Sequence, residues 1–402
     1  MGGDPSRVRV TGPLAPFAQG FAADLARQGY RRHPVADQLR LLAHLSRWLA
    51  AHGLDAPALA PPVLEAFLAS RRSDGYVLWL SRKALDPLVA YLRDREVLPP
   101  ATQEPVGPTE ALLARYRDYL MSERGLVAST ADGYVHFVRP FLTARAGDGG
   151  AVDVAGLTPA DVTSFVVATC PGQAHGSAKL TVTALRSLLR FLLVEGLLNA
   201  SLVFTVPSVA TWRLAALPRR LEAGAVERLL ASCDRQTVTG RRDYAVLMLL
   251  ARLGLRSGEV CSLRLDDLDW RAGELVVCGK GRRAERLPLP ADVGQAVAMY
   301  LRHGRPATAE GRTVFVRVRA PHRPLSSVSY IVEIAAQRAG LGRLHAHALR
   351  HTLATQMVRA GVPLPEVGQV LRHRRLLTTA IYAKVDREAL RLLARPWPGG
   401  GA

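Results

Sequence analysis

HALRHTLATQMVRAG, residues 347–361, sets three potentially cationic side chains, His347, Arg350 and His351, at the head of a stretch whose apolar residues otherwise recur at helical spacing. On a helix, His347 and Arg350 share a face because they are three apart, and His351, four from His347, falls on nearly the same side. An ordinary core rejects such a face. One histidine beside one arginine is commonplace inside proteins, so the meaning of the segment depends on what accompanies it.

Upstream, GLRSGEVCSL (254–263) places Arg256 directly after a glycine-containing turn, with Glu259 three residues on and an apolar stripe beyond. An arginine projecting there can grip a phosphate with its planar fork. Between them, GELVVCGKGRRAERLPLP (273–290) reads as two strands around the turn GKGRR, with Lys280 between Gly279 and Gly281 at the tip. Downstream, LRHRRLLTTAIYAKV (371–385) carries His373 and, nine residues later, Tyr382. No carboxylate cluster accompanies the set, so no metal and no cofactor are expected. What remains is a phosphate-gripping constellation with a hydroxyl nucleophile. Only about 0.1% of a free tyrosine is phenolate at pH 7, so attack on phosphorus needs a base for the proton and cations for the developing charge. Arg256 and Arg350 suit the clamp, Lys280 suits protonation of a leaving oxygen, and the histidines suit proton handling near neutrality.

The totals agree with a polyanionic partner. The 402 residues carry a formal net charge of +19, with 53 Lys and Arg against 34 Asp and Glu. Such an excess favours nucleic acid first and an anionic membrane second. Only four lysines occur, Lys83, Lys179, Lys280 and Lys384, so the charge is nearly all arginine. The richest apolar run, LTVTALRSLLRFLLVEGLL, is broken by Arg186, Arg190 and Glu195, short of the roughly 20 apolar residues of a membrane span. The four cysteines, Cys170, Cys233, Cys261 and Cys278, form no Cys-x-x-Cys pair. A reduced, cytoplasmic, nucleoid-associated protein without a membrane partner is expected.

Helical periodicity fills residues 1–105 and 108–206, separated by the proline-bearing segment LPPATQEPVGP. The two stretches align with an offset drifting from 96 to 100: Gly29 pairs with Gly125, Leu45 with Phe141, Phe67 with Phe165, and Leu85, Leu88, Tyr91 and Leu92 with Leu185, Leu188, Phe191 and Leu192. Either any two four-helix units match this well, or a small helical domain has been duplicated. A linker over 207–220 leads to a helix start with Glu222 in its first turn, and the tail 397–402 reads as frayed.

The four blocks GLRSGEVCSL, GKGRRAERLPLP, HALRHTLATQMVRAG and LRHRRLLTTAIYAKV, in this order and at these separations, resemble the motifs of the tyrosine recombinase (phage integrase) family. The resemblance implies a mainly α fold with a small antiparallel sheet in an α+β catalytic domain over 221–396, a helical core-binding (SAM-like) domain over 108–206, and an N-terminal extension over 1–105. It implies Arg256 and Arg350 as phosphate-binding arginines, Lys280 as general acid, His347 and His373 as proton-handling positions and Tyr382 as nucleophile. The activity implied is site-specific DNA recombination, of the integrase or transposase type found on mobile elements, through a 3′-phosphotyrosine intermediate and a Holliday junction. The partners implied are double-stranded DNA and a homo-tetramer on two duplexes, with accessory recombinases as further candidates. A helix after the tyrosine docks on a neighbouring protomer in the family, and REALRLLARPW is the candidate here. Two alternatives stay open: relaxation of supercoils by a tyrosine-type topoisomerase, and a catalytically silent DNA-binding partner. One position departs from the family pattern, in which glycine usually precedes the histidine matched by His373. Arg372 stands there, which implies an altered turn or an added phosphate contact.

Overall fold

The computed structural model describes residues 4–100, 107–147, 150–210, 221–279, 284–373, 379 and 382. The chain divides into two compact units, residues 101–213, and residues 1–100 together with 214–402. Lys280, the segment REALRLLARPW, the tail 397–402 and most of the 207–220 linker lie outside the described residues.

Residues 1–100 form four α-helices, α1 (Ala18–Arg27), α2 (Arg32–Ala51), α3 (Pro61–Ser73) and α4 (Arg82–Asp94). Their apolar stripes close on a common core in which Phe21, Leu25, Leu45, Leu49, Leu68 and Leu92 are fully buried. Ser46, on the buried side of α2, accepts from the Leu14 backbone N–H at 3.0 Å and donates to the Thr11 carbonyl at 2.6 Å, tying the N-terminal segment to the helix.

Residues 101–213 form α5 (Pro108–Ser122), α6 (Ala128–Thr143), α7 (Pro159–Thr169) and α8 (His175–Val194). A capping box starts α7: Thr158 Oγ1 accepts from the Asp161 N–H, and the Asp161 carboxylate accepts from the Thr158 N–H at 2.8 Å. Val138, Phe141, Leu142, Leu185, Leu188 and Leu192 are at its centre, with no exposure.

From residue 221 the texture changes. Helices α9 (Ala225–Ala231), α10 (Val238–Arg252) and α11 (Ser257–Ser262) precede a three-stranded antiparallel sheet of β1 (Leu268–Asp269), β2 (Glu274–Cys278) and β3 (Ala284–Pro288) in the order β1-β2-β3. Leu275 and Val277 alternate into the core from β2, so one face of the sheet is buried and the other is wet. The two expected strands pair antiparallel as β2 and β3, and β1 adds a third that its two residues were too short to signal. Helices α12 (Ala291–His303), α13 (Ser329–Arg338), α14 (Ala346–Arg359) and α15 (Leu364–Val370) complete the order. The expected helix start at Glu222 is corrected: Gly224 takes a left-handed conformation (φ +75°), and the helix begins only at Ala225. The second half of the central helix α10 is apolar all round, with Ala245, Val246, Leu247, Leu249 and Leu250 fully buried. That is what a helix packed on both α12 and α14 requires.

Candidate active site

Gly254 sets the geometry of the site. Its φ of +57° makes the turn that ends α10, and a Cβ there would sit 3.1 Å from side-chain atoms of both Leu353 and Leu371. Its carbonyl accepts from the guanidinium of Arg350, whose other terminal nitrogen donates to the Leu371 carbonyl. Arg350, on α14 and 1% exposed, therefore ties the turn before α11 to the turn after α15. Burial draws this guanidinium down to about 10, Arg256 and Arg372 add to the shift, and Glu259 and Tyr382 oppose it. At neutral pH it keeps its charge.

Two residues past the glycine, Arg256 caps α11. Its backbone N–H donates to Glu259 Oε2 at 2.8 Å, its side chain to Glu259 Oε1 at 2.6 Å and to the Arg372 carbonyl at 3.3 Å. Glu259 is the shared anchor, because Arg372 also donates to its Oε2 at 2.8 Å. Burial alone would raise the Glu259 carboxyl, but the Arg256 N–H and the two guanidiniums outweigh it and hold the group below the usual carboxylate range.

Arg372 accounts for the glycine usual at its position. It has a φ of +54°, the left-handed region that glycine enters without cost. The turn is thus kept, and the arginine side chain, 4% exposed, is spent on Glu259 rather than pointed outward.

The remaining groups converge on a phenol. Tyr382, 1% exposed, has its hydroxyl 2.7 Å from Nδ1 of His351. The His347 ring, one turn earlier on α14, meets His351 edge-on with centroids 4.5 Å apart. His373 lies parallel to the Tyr382 ring at 6.4 Å, and its Nδ1 is 2.8 Å from the Thr379 hydroxyl. Burial pushes the Tyr382 phenol up to about 12, with Arg350 pulling the other way. Burial pushes His351 and His373 down to about 4, the neighbouring cationic groups adding to it. His347, more open to solvent, is also lowered, by burial first and then by Arg350 and Arg256. At pH 7 the pocket thus holds neutral imidazoles, a protonated phenol and three guanidiniums around one carboxylate.

Of the expected site residues, Arg256, His347, Arg350, His373 and Tyr382 meet in this one place, and Lys280 lies outside the described residues. Four more belong to it. His351 and Glu259 stood in the quoted motifs but drew no assignment, and Arg372 had been marked only as a departure. Thr379 carried no sequence signal, since nothing local announces that it lies within reach of His373 and Gly368. Among the described residues, no group of His, Cys, Asp and Glu could hold a metal ion.

Comparison with known proteins adds independent findings. Residues 219–389 match the model of the Phage integrase family, and residues 113–196 match that of the Phage integrase N-terminal SAM-like domain. The chain is 40% identical over 395 residues to the integrase/recombinase y4rA of Sinorhizobium fredii, covering 96% of this chain and 95% of that one. It is 31% identical over 290 residues to the tyrosine recombinase XerC of Bacillus licheniformis, covering 69% and 93%. In fold it is similar to the XerH site-specific recombinase bound to a palindromic difH substrate, with a TM-score of 0.57 at 19% identity over 74% of this chain and 99% of that one.

Proposed function

The chain belongs to the phage integrase family and is a tyrosine-type site-specific recombinase, and from that membership we propose that it cuts and rejoins duplex DNA through a 3′-phosphotyrosine bond made by Tyr382. The phenolic oxygen attacks the scissile phosphorus, the bond to the 5′ oxygen breaks, and the freed 5′-hydroxyl takes a proton. Reversal by a partner strand's 5′-hydroxyl rejoins the backbone and releases the tyrosine. The energy of the broken phosphodiester is held in the phosphotyrosine bond. Arg256 and Arg350 stabilise the charge that develops on the non-bridging oxygens. His347 and His373 handle protons and contact the phosphate, and Lys280 is the acid for the leaving oxygen.

The observation that carries this reading is the convergence of Arg350, His351 and His373 on a single buried phenol, with Arg256 bonded to the carbonyl of Arg372, the residue before His373. Because Tyr382 is 1% exposed, attack on a phosphodiester requires its segment to move outward. On the same reading, residues 108–206 are the core-binding domain, 221–396 the catalytic domain and 1–105 an extension. Four protomers act on two duplexes in the cytoplasm and pass through a Holliday junction, with accessory recombinases where the element supplies them.

The test is covalent trapping. The protein and a Tyr382→Phe variant are incubated with nicked duplexes taken from the DNA that flanks the gene, and detergent-resistant protein–DNA species are resolved by electrophoresis. A band lost in the variant is expected. A band that persists in Tyr382→Phe would sink the assignment of the nucleophile, and relaxation of any supercoiled plasmid without a joined product would move the activity to the topoisomerase type.

A further inference from the structure

The second concentration of charge lies far from Tyr382 in sequence, on the helices of residues 1–100. Helix α2 presents Arg40, His44 and Arg47 at spacings of four and three, hence on one face. Arg7 and Arg9, from the segment before α1, line the same concave surface, and Asp4 is its single acid. Arg40 is ion-paired with Asp37 at 2.6 Å, whereas among the described residues neither Arg9 nor Arg47 is ion-paired with a carboxylate, and both are exposed. Arg40 and His44 also line an adjoining hollow that runs to Arg71 and the loop 75–79, so the two form one surface.

That loop is built against its own preferences. Val77 is 84% exposed and Leu78 63%, and Trp79 has a φ of +56°, which a tryptophan adopts only under restraint. The restraint is visible. Arg71, 4% exposed, stacks its guanidinium 4.0 Å from the centre of the Tyr76 ring and donates to the Leu78 carbonyl at 3.1 Å. Arg72 donates to the Leu80 carbonyl at 3.2 Å, and the His44 ring meets Tyr76 edge-on at 5.3 Å. Two arginines and a histidine thus hold a pair of bare aliphatic side chains out into water, where they gain nothing from folding.

We propose that this face, Arg7, Arg9, Arg40, His44 and Arg47 beside the tip Val77–Leu78, is a second duplex-DNA contact, with the arginines on backbone phosphates and the aliphatic tip against the minor groove. The proposal rests on the DNA-acting reading above and extends it to a surface outside the catalytic domain. Charge decides the occupant. A rim in which four arginines and a histidine outnumber Asp4 suits a polyanion, phosphate contacts fix register without reading sequence, and aliphatic wedges beside arginine are how proteins widen and kink a minor groove. Membership in a family of DNA recombinases selects duplex DNA over an anionic membrane.

The experiment uses the full chain on a fluorescent duplex of about 40 base pairs, with affinity followed against salt by anisotropy. Each lost phosphate contact lowers the slope of log affinity against log salt by about 0.9. The double variant Arg9→Ala/Arg47→Ala should therefore flatten the slope by about 1.8, and the Arg→Lys pair should restore it. Val77→Ser/Leu78→Ser should weaken binding several-fold at unchanged slope. Slope and affinity unchanged in the arginine pair, with the circular dichroism melt intact, would overturn the proposal. The same null result accompanied by altered sedimentation of the multimer would overturn it in favour of a protein partner. Loss of covalent trapping in the unaltered chain while its salt-dependent binding persists would count against the recombinase reading alone.

Discussion

Glu259 holds two arginines with one carboxylate, so its removal strands the Arg372 guanidinium in a place with almost no water, while Arg256 stays partly open to solvent. Glu259→Ala should cost about 3–5 kcal/mol in urea unfolding, the range for breaking a buried ion pair from one side. Glu259→Gln, which can still accept from both arginines, should cost distinctly less. Arg372 separates backbone from side chain. Arg372→Ala and Arg372→Gly both lose the bond to Glu259, but only glycine also escapes the left-handed penalty, so the glycine variant should be more stable than the alanine variant by about 1 kcal/mol. Equal stability would mean that the turn relaxes when the side chain goes. The histidines set a pH dependence. His351 and His373 titrate near 4 in the folded chain and near 6.5 when unfolded, so between those values the unfolded chain binds more protons. Stability should therefore be complete above about pH 6.5 and fall as the pH drops toward 4. Comparing urea midpoints at pH 7 and pH 5 reads this directly, and His351→Gln should reduce the difference.

At the scale of elements, the turn after α10 has the most to lose. Gly254→Ala forces an L side chain to φ +57° and sets its Cβ against Leu353 and Leu371, with an expected cost of about 1–3 kcal/mol. Because the Gly254 carbonyl holds Arg350, cleavage should fall further than the melting temperature alone accounts for; a loss of cleavage matched by the loss of folded protein would contradict this. The same region displays what the sequence conveyed. Helix α14, the two long strands and the motif residues were legible because periodicity and spacing are local properties. The short strand β1, the delayed start of α9 and the approach of Thr379 to His373 were not, since each is decided by a partner distant in sequence or by one glycine's backbone. His351 was visible on the correct face yet unassigned, because spacing could not say which neighbour would take its Nδ1. The paired positions of the two four-helix stretches have comparable burial, Leu85 with Leu185, Leu88 with Leu188 and Leu92 with Leu192, and Gly29 and Gly125 both have positive φ. These matches support the proposal that one small helical domain was duplicated.

Over the whole molecule, the formal charge of +19 sets how the chain meets DNA before any site is read. Binding to duplexes of unrelated sequence should weaken steeply with salt, about 0.9 in logarithmic slope per phosphate engaged, and a flat response would leave the arginine excess without a physical use. Residues 101–213 enclose their own core and form a compact unit. Expressed alone, that segment should melt cooperatively, and a gradual, non-cooperative transition would show that it depends on the rest of the chain. The burial of Tyr382 matters at a larger scale still. Every phosphodiester in a chromosome is chemically equivalent at phosphorus, so a nucleophile open to all of them would leave breaks wherever the protein happened to rest. On the proposed role of Tyr382 as nucleophile, a hydroxyl that is covered and shared with His351 separates contact from incision. An error then needs two coincident events, and the safety of the host genome depends on how rarely the second occurs away from a proper site.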